Sequence, residues 1–65
     1  MEGYRNVALY NGRSWDMGDT DPTTFLNEAL VPTFPDLRGA SHVRTVNEAR
    51  QEVVFEFQKR AGQKG

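Results

Sequence analysis

The chain has 65 residues, enough for one small domain with one core. A chain this short buries only about 60% of the surface its unfolded form exposes, which argues against a self-contained enzyme with a deep pocket of roughly 300 Å³ or more. A net charge of -1 argues against nucleic acid or an anionic membrane as the main partner, and the absence of cysteine removes disulfides and thiolate metal sites.

Residues 4 to 17 read as a hairpin. Tyr4 to Tyr10 is rich in strand formers, and Val7 and Leu9 share one face at period two. Asn11-Gly12 follows, the pair that best tolerates positive φ in a two-residue type I′ turn. Arg13 to Met17 returns as the second strand, with Trp15 and Met17 on one face. After a loop at residues 18–20, Asp21 is placed to cap a helix that Pro22 begins. Phe25, Leu26, Ala29 and Leu30 form one apolar stripe. Pro32 disfavours the helical conformation at Val31, so the helix is expected to stop near Leu30 or Val31. It is too short to stand alone and needs a sheet to pack on.

Residues 34–39 read as a second turn with two anchors, Phe34 and Leu37. Residues 41–46 read as a short strand whose inner face is ambiguous, because Val43 and Val46 lie on opposite sides. A polar turn over residues 47–50 leads into residues 52–57, the strongest strand in the chain. There Val53, Phe55 and Phe57 point one way, and Val54, Glu56 and Gln58 the other.

The order is therefore ββαββ, an α+β chain with one helix covering one sheet face. If the segment between the hairpins is a right-handed crossover, the last strand lies parallel to the first in the middle of a mixed sheet. That is a minimal ubiquitin-like β-grasp, with an end-to-end meander of two hairpins as the competing arrangement. Residues 1–59 would form this domain. Residues 60–65 read as a flexible tail, since two glycines, two further cations and no large apolar residue give nothing to bury. No apolar run nears the ~20 residues of a membrane span, and no signal-peptide core stands at the N-terminus. The expectation is a cytoplasmic protein.

Tyr10-Asn11-Gly12 after a strand, Asp21-Pro22 before the helix, Phe34-Pro35-Asp36-Leu37 after it, and the ending from Phe55 to Gly65 resemble the bacterial PRTRC system protein C family. The ending departs from that family by one residue fewer between Ala61 and Gly62, and by Gln63 where the family has threonine. The resemblance implies a ubiquitin-like modifier, itself not an enzyme. Its partners would be an E1-like ThiF-fold adenylating enzyme, with an E2-like protein and a JAB-type protease, and target proteins. The modifier would carry no cofactor of its own, ATP being used by the partner enzyme. Gly65 would be the conjugation terminus, and Lys59, Arg60, Gly62 and Lys64 would contact the adenylating enzyme.

The chemistry suits those residue types. A carboxylate is a poor acyl donor until it becomes a mixed anhydride with AMP, and a terminal glycine enters a narrow cleft without a side chain in the way. Cations in the tail can pair with acidic walls and speed encounter. Two other roles stay open on the residues alone: a sulfur carrier ending in a thiocarboxylate, and a non-covalent interaction module. For docking, Val7 and Leu9 turned toward the helix would leave Ala8, Tyr10 and Val54 outward, flanked by Arg44 and Glu56. Other signals are weaker. Asp16, Asp19 and Asp21 lack the spacing of a calcium loop and read as loop and cap residues. His42 is the sole histidine and reads as a surface strand residue, not a metal ligand.

Overall fold

A computed structural model gives the fold, and the structure describes residues 2–59. Four strands form one sheet: β1 (Arg5–Tyr10), β2 (Arg13–Asp16), β3 (Ser41–Asn47) and β4 (Glu52–Gln58). Between the hairpins lie α1 (Pro22–Phe25), a π-helical turn over Leu26–Leu30 that continues it, and a 3-10 turn over Pro35–Leu37.

Local chemistry explains each joint. Asn11 (φ 54°) and Gly12 (φ 78°) both take the left-handed backbone that a two-residue hairpin loop needs, and Tyr10 pairs with Arg13 across it. At the helix start, Asp21 is extended. Its carboxylate accepts the Thr24 N–H at 3.0 Å and the Thr24 hydroxyl at 2.8 Å. These bonds, the backbone one foremost, hold the Asp21 carboxyl below the usual aspartate range. Pro22 takes the first helical position, where its missing N–H leaves nothing unpaired.

The helix end differs from a plain α-helix. The Val31 N–H donates to the Leu26 carbonyl at 2.8 Å, five residues back. Pro32 brings no N–H to carry the ladder on, and Thr33 and Phe34 instead both donate to the Leu30 carbonyl at 3.1 and 2.7 Å. The wider π turn takes more residues per revolution. Leu26 and Leu30 therefore both stay over the sheet and are buried, while Ala29 rotates out of the expected stripe and is exposed.

The strand order is β2-β1-β4-β3. β1 and β4 run parallel at the centre, and each has an antiparallel partner outside it. An end-to-end meander would put β2 beside β3, and these are the two edges. The core lies on the helix side of the sheet. It comprises Ala8, Met17, Leu26, Leu30, Leu37, Val53, Phe55 and Phe57. Leu30 and Leu37 are its largest wholly enclosed side chains, so the helix end and the 3-10 turn form the lid of the core.

Two parities are now settled. On β4, Val53, Phe55 and Phe57 face the core as expected. On β3, Val46 faces in and packs against the core, while Val43 faces out and is 50% exposed. β1 reverses the expectation. Ala8 lies opposite Phe55 on one side and Trp15 on the other, and is wholly buried. Val7 and Leu9 point to the opposite face. The physical reason is room: between two large aromatic neighbours, the strand position beneath the helix accepts only a small side chain.

Candidate functional site

Among the described residues, three places can do chemistry or recognition. The first is the exit of β4. Lys59 stands there with its ammonium 3.8 Å from the Asp36 carboxylate on the 3-10 turn, both groups well exposed. Such a pair contributes little to stability and leaves the lysine free to change partners. Arg60, Gly62, Lys64 and Gly65 lie outside the described residues, so Lys59 is the one proposed tail contact whose surroundings are seen.

The second is the outer sheet face, and here the expected membership is corrected. Ala8 is core. Tyr10 is on the helix side, where its ring meets Phe34 edge-on at 5.3 Å and 66°. Arg44 is exposed but lies in register with Phe55, so it too belongs to the helix side. Of the four residues expected on the docking face, only Val54 is outward. The strand pairings place Val7 and Leu9 beside Val54 and Glu56, with Val43 and Thr45 on β3 continuing the same face. Among the described residues, Val7, Leu9 and Val54 are half-buried on a face that no helix or turn covers, and Val43 is the large apolar residue most open to solvent. The face is an apolar strip across three strands.

One end of that strip carries a charge cluster that the sequence did not single out. Glu52, at the start of β4, is only 7% exposed although it faces outward. Arg5 on β1, directly opposite in the register, binds one of its carboxylate oxygens, and the Arg50 Nε lies 3.4 Å from the other. Both arginines are exposed, so the carboxylate is neutralised from the solvent side, a tie between the two central strands. The strip thus has basic groups at one end, and Glu56 interrupts it between Leu9 and Val43.

The third place is a groove of about 240 Å³ between β2 and the helix end. Trp15, Leu30 and Phe34 supply apolar walls, with Arg13, Ala29 and Thr33 around them. Trp15 and Phe34 meet edge-on at 6.1 Å. Trp15, expected on one face with Met17, and Phe34, expected as a turn anchor, both line this groove. They are half-buried because β2 is an edge strand and the helix stops short of it.

His42 is exposed, as expected, and its ring leans on Phe55 and Phe57 at 5.7 and 5.5 Å. Among the described residues no three His, Asp or Glu side chains are grouped so as to hold a metal ion, and no helix is long and apolar enough to cross a membrane. Comparisons with protein-family models, curated proteins and solved structures found no match.

Proposed function

We propose that this chain is a ubiquitin-like protein modifier of the β-grasp type, activated at Gly65 by an E1-like adenylating enzyme and joined to amines on target proteins. The observation that supports the reading is the place of β4. The last strand runs parallel to β1 at the centre of the sheet, so the segment that follows it leaves from the best-anchored part of the molecule. A partner that grips the sheet thereby controls where residues 60–65 are presented.

The chemistry proceeds in three steps. The Gly65 carboxylate attacks the α-phosphorus of ATP in the partner's site, forming an acyl-adenylate and releasing pyrophosphate. A thiol of the conjugating machinery, and then a target amine, attacks the acyl carbon, and AMP and the thiol leave in turn. The final bond is an amide between Gly65 and the target. ATP sets the reaction in the cytoplasm. Lys59, Arg60 and Lys64 steer the segment toward acidic walls of the partner, and Gly62 and Gly65 keep it narrow. The apolar strip of Val7, Leu9, Val43 and Val54 is the docking surface in this reading, replacing the set centred on Ala8 and Tyr10.

The test compares N-terminally tagged wild type with a form lacking Gly65 in the native host, by gel shift and intact mass. Heavier covalent species that vanish with Gly65 support the modifier. A gain equal to replacing one oxygen by sulfur, without adducts, supports the sulfur carrier. Identical patterns for both forms leave a non-covalent module.

A further inference from the structure

We infer that the groove beside β2 binds an extended acidic peptide, added as a fifth strand to the edge of the sheet. Trp15, Phe34, Ala29 and Arg13 carry the argument, which is independent of conjugation through Gly65. The groove's volume of about 240 Å³ is small for a drug-sized ligand and suits one large apolar side chain. Among the described residues no strand pairs with the backbone beside it. Tyr10–Arg13 closes the hairpin loop, and the Met17 N–H donates to the Asn6 carbonyl at 2.8 Å, so residues 13, 15 and 17 turn their backbone groups toward β1. Ser14 and Asp16 therefore turn theirs outward from the edge, where an incoming strand can pair with them.

Side-chain geometry then fixes what that strand must carry. Arg13 and Trp15 are two residues apart on the helix side of β2, and Arg13 has no carboxylate partner among the described residues. A strand lying alongside shows its own residues to that face at period two. The matching ligand has a large apolar residue over Trp15 and Phe34 and an acidic residue two positions away over Arg13. An acid one position away would face the other side of the sheet.

Trp15 is the sole tryptophan and lines the groove, so its fluorescence reports binding directly. The full chain is titrated with a capped heptapeptide of valine and threonine carrying a central isoleucine and, two residues later, a glutamate. Saturable change in Trp15 emission is expected, with amide shifts centred on Ser14 and Asp16. Moving the glutamate by one position, or replacing it with lysine, is expected to weaken binding by about tenfold. Ala29 is exposed, so Ala29→Phe fills the groove without entering the core and abolishes the response. Arg13→Glu reverses the preference, binding the lysine peptide over the glutamate one. Equal response to all three peptides, amide shifts centred on β3, emission that changes only through self-association of the chain, or no response at all would each overturn the proposal.

Discussion

At the scale of single residues, Ala8 decides how the sheet is read. It is wholly enclosed between Phe55 and Trp15, whereas its neighbour Leu9 faces outward. Ala8→Leu is expected to destabilise the fold by about 1–3 kcal/mol through overpacking. Leu9→Thr is expected to change stability by less than about 1 kcal/mol. Urea denaturation of the two variants checks the parity, and the opposite ranking would restore the face first expected. Asp21 gives a second residue-scale prediction. Its folded pKa is depressed by the bonds from Thr24, so its charge adds stability above the unfolded value of about 3.9, and that stability is lost as pH falls through the folded value. Asp21→Asn keeps a cap but not the charge. Wild type should therefore be the more heat-stable of the two near neutrality, with the gap narrowing below about pH 4; a gap constant with pH would remove the charge from the account.

At the scale of elements, the helix end does most of the covering. Leu30 is 1% exposed and sits where the π turn brings it over the sheet, so Leu30→Ala is expected to cost about 2–5 kcal/mol by urea denaturation. Ala29→Ser, one residue away on the exposed side, should change little by the same measurement. The contrast between these neighbours shows what could be read from the chain and what could not. The Asn11-Gly12 turn, the Asp21-Pro22 start and the core face of β4 were legible because short-range chemistry or strict alternation specifies them. Ala29 was misplaced because stripe reading assumes an α-helical period, which the π turn abandons. β1 was misread because its inward positions hold Ala8 and Tyr10, while the more apolar pair, Val7 and Leu9, faces out. Only the cross-strand register, a long-range property, resolves that choice. The Arg5–Glu52–Arg50 cluster stayed hidden for the same reason, its members being brought together by the parallel pairing.

At the scale of the whole molecule, the two faces divide the labour. The helix side closes the core, and on the far side no described element covers Val7, Leu9, Val43 and Val54, which lie beside a row of charges. A modifier that docks through this strip should lose transfer when the strip is charged. Leu9→Asp and Val43→Asp are expected to lower conjugation by about tenfold while leaving the far-ultraviolet spectrum unchanged. Unchanged transfer in both variants would move the docking surface elsewhere. Lysine placement adds a further constraint on that reading: Lys59 and Lys64 are the only two lysines of the sequence, so a lysine-linked chain of modifiers would have to run through one of these two positions after the last strand.

The same placement makes conjugation through Gly65 readable by mass. Lys64 immediately precedes Gly65, so trypsin cutting after Lys64 would leave a single glycyl group on every lysine the chain has modified. Mass spectrometry of tryptic digests from the native host, with and without the chain, reads that mark. Glycyl-lysine peptides are expected to appear with the wild-type chain and to disappear when Gly65 is deleted. Their absence from a host shown by intact mass to hold the chain ending at Gly65 would contradict conjugation through Gly65.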